Sequence, residues 1–483
     1  MRVRRRKRGD MRVLLALPPG IHELEIYKVA GMNAPPLGLA WIAAVLERDG
    51  HKVKIIDSPT LKLDEKKFLH EVKSWHPDVI GLSLQTPMAP KGYRAIRLIR
   101  NELPDTIIIV GGTHPTYMYD EALDNGADVV VRGEGEETAS ELLRVIEKHG
   151  LDKQLLRSVR GIAFRDNGKT VLTEKRPFIE NLDSLPWPAR HLLPMDKYTV
   201  FNKPIKIAHV MASRGCPYGC KYCITSYYWG RRIRFRSAEN VADEIQYLVE
   251  KYHVDKIVFS DDEFVVNRRF VTQLIKELKE RGIELPFACG ARVDHVDKNY
   301  LKFLYDSGCV ALYFGVESAS QETIDRIGKK ITIDQVVRVF RWVKELKGFA
   351  TGSFILGFPW ETIDDMKRTV EFAIKLDPSY AQFTVLTPYP GTPIYEMAVK
   401  DNLIEDWNWE HYTTVKPVMR GYNFTREQLG KMLTYAYRKF YLRFSFLWRE
   451  LRAGRLKDLL QVIRKEVREI IVERLLGKRE GRE

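Results

Sequence analysis

Ala212-Ser-Arg-Gly-Cys216-Pro-Tyr-Gly-Cys220-Lys-Tyr222-Cys223 is the stretch on which the fold turns. It follows the apolar run Ile205–Met211 and sets three cysteines in the spacing CxxxCxxC. Three thiolates on one short loop can bind three irons of a [4Fe–4S] cluster and leave the fourth iron open to chelate a substrate or cofactor. A structural zinc site takes four ligands, and no His or Cys nearby completes a set, because His209 lies inside the preceding strand. Gly215 and Gly219 permit the tight wrap that such a loop needs. Two further cysteines, Cys289 and Cys309, make an odd, sparse set that is no disulfide framework. Both fall in or beside strand-like runs and read as buried structural thiols; a catalytic thiol is the alternative.

Downstream of the loop, strand-like runs at Lys256–Ser260, Pro286–Gly290, Val310–Phe314, Thr351–Ile355 and Gln382–Leu386 alternate with helical stretches. With Ile205–Met211 they make six βα units. CxxxCxxC with an aromatic residue, Tyr222, directly before the last cysteine resembles the signature of the radical S-adenosylmethionine (SAM) enzymes, and the six units match that family's partial (βα)6 barrel. Sites on such barrels lie at the carboxyl ends of the strands, where the cysteine loop follows the first strand. The resemblance implies roles for the other strand ends. Asp261, Asp262 and Glu263 fall in its second-strand motif, which receives the SAM amino group, and carboxylates there suit an ammonium. Arg292 is implied to meet the SAM carboxylate, and Glu317, beside Ser318, the ribose hydroxyls. Gly357 offers backbone groups to the adenine, near which Tyr222 packs.

The first third of the chain is a separate α/β pattern. Short apolar runs at Val13–Leu17, Val53–Ile56, Val79–Leu82, Ile107–Val110 and Val129–Val131 alternate with helical spacing at Leu37–Asp49, Glu65–Trp75, Tyr93–Asn101 and Thr138–Lys148. Five strands alternating with helices argue a doubly wound parallel sheet of Rossmann or flavodoxin type. Ligands on such sheets bind beyond the carboxyl ends of the strands. Those ends carry Pro19, then Ser83 and Gln85, then Gly111, Gly112 and His114, then Gly133, Glu134 and Gly135. Two Gly-rich turns and a polar one on the same edge point to a ligand site, since glycine lets backbone approach a bulky group. No GxGxxG follows the first strand and no GxxxxGK[ST] occurs, which disfavours a dinucleotide and a P-loop nucleotide.

A sheet domain directly before such a barrel resembles the cobalamin-dependent radical SAM class, and the resemblance covers nearly the whole chain. Its members include methylases of unactivated carbon, the anaerobic cyclase of chlorophyll synthesis, and enzymes of hopanoid and archaeal lipids. PPLGLAWIAAVLERDGHKVKIID, GGTHPT and RGEGE look typical of its first domain, so the strand-end residues from Pro19 to Gly135 are the implied cobalamin contacts. One departure stands out: the DxHxxG motif, whose His ligates cobalt from below, is absent. The implied activity is reductive cleavage of SAM at the cluster and, with cobalamin, methylation of an unactivated carbon of an apolar or lipid-like substrate. Cyclisation or C–C coupling without methyl transfer is the rival reading. A reductant such as ferredoxin or flavodoxin is an implied partner. Methylthiotransferases of tRNA carry a second cluster on N-terminal cysteines, and no cysteine precedes Cys216, so nucleic acid is not an expected partner.

At roughly 150 residues per domain, 483 residues suit about three domains. The expected division is a cobalamin-binding-like domain at 11–150, a connector with a hairpin around Asn167-Gly168 at 151–204, the barrel at 205–395 and a basic helical region at 396–483. The net charge of +14 is concentrated at the ends. Residues 1–10 are basic without the apolar stretch of a signal peptide and read as a leader or a misassigned start before Met11. No apolar run of about 18 residues predicts a membrane span, so a cytoplasmic protein is the expectation. Arg426–Arg452, with Tyr435, Tyr437, Phe440, Tyr441, Phe444, Phe446 and Trp448, and Leu456–Leu476 have amphipathic helical spacing. They read as a helical cap on the barrel or as a basic platform for peripheral contact at the inner membrane face.

Overall fold

The computed structural model describes residues 11–21, 34–200, 203, 204, 206–452 and 454. The readings made for residues 1–10 and for the apolar face of Leu456–Leu476 lie outside the described residues.

The first sheet holds β1 (Arg12–Leu17), β2 (Lys52–Asp57), β3 (Val79–Ser83), β4 (Ile107–Gly111), β5 (Val129–Val131), β6 (Ile162–Asp166) and β7 (Lys169–Leu172) in the spatial order 2-1-3-4-5-6-7. The pairs from β2 through β5 are parallel. This is the flavodoxin-type order, in which the crevice opens where the strand order reverses beside β1. Successive residues of β1 serve opposite faces. Val13 and Leu15 pack with Leu39, Ala43 and Leu143 of helices α1 (Leu37–Arg48) and α2 (Glu136–His149). Leu14 and Ala16 pack with Phe68, Val72 and Ile96 of the helices on the other side. Burial on both faces is why these strands are nearly all apolar rather than alternating. The hairpin expected in the connector forms, with Asn167 and Gly168 both at positive φ, the conformation of a two-residue turn. It pairs antiparallel onto β5, so the first sheet continues into the stretch expected as a connector.

The second sheet is wholly parallel and runs in chain order: β8 (Ile207–Val210), β9 (Lys256–Phe259), β10 (Phe287–Ala291), β11 (Cys309–Glu317), β12 (Ala350–Leu356) and β13 (Tyr380–Val385). First and last strands do not pair, which makes a partial (βα)6 barrel. Thr332 and Thr362 open two of its helices with reciprocal capping boxes, which satisfy otherwise orphaned first-turn N–H groups. Helix α3 (Arg426–Tyr441) extends the barrel core with Leu429, Met432, Ala436 and Phe440. Tyr437 and Tyr441 donate to the carbonyls of Phe383 and Ala381. Through these residues α3 caps the barrel. On the following helix, Phe444–Arg452, Phe446 is buried, whereas Phe444, Trp448 and Leu451 are exposed. Among the described residues, no helix is long and apolar enough to cross a membrane.

Candidate functional site

The cysteine loop is shaped by backbone it cannot move past. Gly215 has φ +103°, and a Cβ there would stand 2.3 Å from the carbonyl oxygen of Arg232; only glycine fits. Cys216 N donates to Gly230 O, and Lys221 N donates to Ile327 O, anchoring both limbs of the loop. Burial pushes the Cys216 thiol up to about 12, and it raises the Cys220 and Cys223 thiols too. Cys216 feels the charge of both Cys220 and Cys223, which places the three together. No three His, Cys, Asp or Glu side chains among the described residues converge on one point as a single ion requires. A mononuclear zinc site does not fit. A cluster does, because each thiolate then binds its own iron and the three need not share a centre. Metal binding would displace the protons that burial retains.

The strand ends around the loop divide into scaffold and free groups. Asp261 is scaffold: its carboxylate accepts from Ser213 Oγ at 2.5 Å and Ala212 N at 3.1 Å, and burial pushes it up to about 7. Asp262, at the lip, accepts from Thr225 Oγ1 at 3.0 Å and is pushed up to about 6 by desolvation. Glu263 is different. It is buried, and its Oε2 has no hydrogen-bond partner; the ring nitrogen Nδ1 of His295 stands 3.5 Å away. An orphaned buried carboxylate oxygen fits an incoming ammonium. Arg292 forks onto Asp294 at 2.9 and 3.1 Å, donates to Lys329 O at 2.6 Å and lies 3.4 Å over the ring of Tyr218. Tyr218 also hydrogen-bonds His295.

Glu317 closes β11 at φ +68°, where the register with β12 shifts. Its Oε1 accepts from Tyr222 at 2.9 Å and from the buried Lys329 Nζ at 2.7 Å. Part of the carboxylate implied to hold ribose is therefore already engaged, and through Tyr222 it steadies the cysteine loop. Ser318 is fully buried and leans on Glu361. Glu361 Oε2 accepts both Gly357 N and Phe358 N at 3.0 Å, and burial pushes it up to about 7. Those two N–H groups are thus taken, which leaves adenine the carbonyl side of this turn. Tyr222 meets Phe358 edge-on. Tyr218, Asp294, His295, Lys329 and Glu361 were not singled out from sequence. Asp294 and His295 stand just past Arg292, which was a usable signal, whereas Lys329 carries none.

At the carboxyl edge of the first sheet a slot of about 110 Å³ runs down between α1 and α2. Apolar side chains dominate it, among them Leu39, Ile42, Val131 and Leu143. Of the strand-end residues singled out from sequence, Ser83, Gly111, Gly112, Gly133, Glu134 and Gly135 line it; Pro19, Gln85 and His114 do not. A Cβ at Gly38 or Gly133 would meet nothing within 4 Å, so glycine keeps open space where a flat, largely apolar group can enter. Gly112 is required differently: at φ +105°, a Cβ would sit 2.6 Å from Leu84 O. Its lining suits a flat apolar part of a large cofactor such as cobalamin. His114 is buried, with Nδ1 3.3 Å from Thr86 Oγ1 and Nε2 3.2 Å from Glu121, which also accepts from Tyr93 and Trp409. Both ring nitrogens are engaged, and through Glu121 and Trp409 His114 ties the first sheet to the 400s segment.

Glu134 does more than line the slot. Its carboxylate holds Arg214 at 3.1 Å and Arg234 at 2.9 Å, while Glu136 takes the other arm of Arg214 at 2.6 Å. All four side chains are buried. Arg214 lies 4.8 Å from the ring of Trp41 and 5.1 Å from that of Trp229 and is two residues from Cys216. This clamp joins the wall of the slot to the base of the cysteine loop. Cys289 and Cys309 are buried on neighbouring strands, and the Cys289 thiol is raised by its hydrogen bond with Cys309 and by burial. The arrangement matches structural thiols.

Comparison with known proteins agrees with this geometry. Residues 26–143 match the B12 binding domain, and residues 210–373 match the radical SAM superfamily. An uncharacterised methyltransferase of Pyrococcus horikoshii is 38% identical over 90% of this chain and 93% of its own length. The anaerobic magnesium-protoporphyrin IX monomethyl ester cyclase of Cereibacter sphaeroides is 28% identical over 87% of this chain and 70% of its own. Among solved structures, the cobalamin-dependent SAM radical enzyme OxsB, with aqua-cobalamin and SAM bound, shares the fold at a TM-score of 0.71. It is 18% identical, over 88% of this chain and 66% of that one.

Proposed function

The chain belongs to the cobalamin-dependent radical SAM enzymes, and from that premise we propose that it methylates an unactivated carbon of an apolar or lipid-like substrate. One observation carries the reading: a three-cysteine loop and a hollow apolar slot, on two domains, are locked together through Arg214, Glu134 and Glu136. When bound, the cluster would supply the electron for reductive cleavage of SAM, and cobalamin would supply a methyl carrier.

The chain's own residues do the positioning. Cys216, Cys220 and Cys223 would hold three irons of the cluster and would leave the fourth for SAM. The unpartnered Glu263 Oε2 receives the SAM ammonium, with Arg292 and His295 beside it. Glu317 and Tyr222 order the ribose and adenine side. Ser83, Gly111, Gly112, Gly133 and Gly135 let cobalamin settle against backbone, and His114 offers it no free nitrogen. Domains at 205–395 and 396–483 fit this division of labour, and the domain at 11–150 is extended by the hairpin of the 151–204 connector, which joins its sheet. A small-molecule substrate and a reductant such as ferredoxin or flavodoxin are the partners. The cytoplasm is the proposed location, and exposed Phe444, Trp448 and Leu451 on a helix bearing Arg449 and Arg452 support contact with an anionic membrane surface.

Cyclisation without methyl transfer is the second reading, favoured by the cyclase relative. Anaerobic reconstitution with iron, sulfide and hydroxocobalamin, then reduction with SAM, separates them. Bound cobalt with both 5′-deoxyadenosine and S-adenosylhomocysteine, and a product heavier by one methylene, supports the methylase. Bound cobalt with 5′-deoxyadenosine alone, and a product lighter by two hydrogens, moves the assignment to a cyclase. Cleavage without cobalt overturns the cobalamin assignment.

A further inference from the structure

Beside the slot, and sharing Gly133, Glu134 and Tyr228 with it, lies a second cavity of about 220 Å³. Its walls come from three places: the strand-end loops carrying Tyr117 and Arg132, the strap carrying Lys175, and Tyr227 just past the cysteine loop. Its charges do not cancel. Glu134 is neutralised between Arg214 and Arg234, and Arg176 is paired with Glu141. Arg132 and Lys175 have no carboxylate partner among the described residues. Each merely lies over an aromatic ring, Tyr119 at 5.6 Å and Phe178 at 5.1 Å. Arg132 Nε is buried without any hydrogen-bond partner. A native structure rarely leaves such a donor unmatched unless a ligand or ion completes it. The main chain that carries this side chain is fixed, since Arg132 N donates to Gly161 O at 2.8 Å.

We infer that this cavity is an oxyanion subsite for the substrate, in which Arg132 and Lys175 hold a phosphate or carboxylate group while the rest of the molecule reaches toward the neighbouring slot. The inference rests on reading the site as one that transforms a small molecule, and it makes that molecule an amphiphile: an apolar carbon to be attacked and an anionic end to be held. The guanidinium fork matches the paired oxygens of phosphate and carboxylate, and the lysine adds a point charge at the mouth.

The test uses the full chain with its cluster reconstituted, and inorganic pyrophosphate as probe, followed by calorimetry. The wild type is expected to bind it. Affinity should fall at least about tenfold in Arg132→Gln, the loss of a charge-assisted hydrogen bond, and less in Lys175→Gln, where the side chain is exposed and its removal cannot disturb folding. Arg132→Lys should recover part of the loss. Hydroxocobalamin affinity should not change in any variant. No pyrophosphate binding by the wild type, or equal binding by Arg132→Gln, overturns the inference. So does lost hydroxocobalamin affinity in Arg132→Gln with cobinamide affinity intact, because the cavity would then serve the phosphate of the cofactor. Binding is read without turnover, so a chain that binds pyrophosphate through Arg132 yet makes no methylated product keeps the subsite and loses the methylase assignment. Methylation with no oxyanion binding does the reverse.

Discussion

The two carboxyl edges that face each other in this molecule are built on opposite principles. The barrel edge is crowded with charge, and nearly every group is committed: Glu317 to Lys329, Arg292 to Asp294, Glu361 to two backbone N–H groups. The sheet edge is a hollow lined by Leu39, Ile42, Val131 and Leu143, with glycines where side chains would intrude. One site works by what its residues hold in place, the other by what they leave empty. A ligand that must be oriented for bond cleavage needs fixed dipoles and charges. A large cofactor that must be gripped along a flat apolar base needs shape.

The largest expected effect separates the two edges outright. Cys220→Ala should abolish the iron–sulfur absorbance and all SAM cleavage while hydroxocobalamin affinity stays unchanged. A variant that loses both ligands would mean that the edges are not independent binding sites. The next effect strikes the clamp between them. Glu134→Ala leaves buried Arg234 without a carboxylate, and breaking a buried pair this way costs about 3–5 kcal/mol. Urea unfolding of the apo chain should show that loss, and Glu134→Gln should show a smaller one. A midpoint unmoved by either variant would show that the clamp contributes nothing to domain docking.

The contrast also explains what could be read from the sequence. The cysteine loop was legible because its chemistry needs one residue type at fixed spacing, and the first sheet was legible because burial on both faces makes strands such as Val129–Val131 wholly apolar. The slot was only half legible. Its glycines marked the turns, but Leu39 and Ile42 look like any core-facing residues of an amphipathic helix, and a void leaves no letter in the sequence. His114 sat in a Gly-rich strand end and read as a ligand contact. Nothing local announces that Glu121 and the distant Trp409 meet around it. Lys329 and Glu134 are illegible for the same reason: the partners they pair with lie 12 and 80 residues off.

The charged edge should also betray itself in pH dependence. Glu361 is raised to about 7 from an ordinary value of 4.5 by burial. Below the lower value it is protonated in both folded and unfolded chains, and its contribution to stability is fully present. As pH rises toward 7 the unfolded chain releases the proton first, so stability falls, by at most about 1.4 kcal/mol per pH unit. Glu361→Gln keeps an acceptor for the two N–H groups and removes the titration. Its unfolding midpoint relative to wild type should therefore climb between pH 4.5 and 7 and level off above. Parallel curves for the two proteins would place the proton elsewhere, with Asp261, also raised to about 7, the next group to replace.

The smallest expected effect tests the hollow edge at its lip. Gly38 opens α1, lines the slot and has nothing within 4 Å of where a Cβ would stand. Its φ is not in the left-handed region, so backbone conformation does not demand glycine. Gly38→Ala should then be neutral or stabilising by up to about 1 kcal/mol, as expected for alanine replacing glycine in a helix. Gly38→Phe puts a ring into the same space. Its fold and its SAM cleavage should survive, and its hydroxocobalamin affinity should drop about tenfold, or about 1.4 kcal/mol. Equilibrium binding with the two variants side by side distinguishes shape from chemistry. If alanine weakens cobalamin as much as phenylalanine does, the glycine serves a backbone contact and not a void; if neither does, cobalamin enters by another face of the sheet.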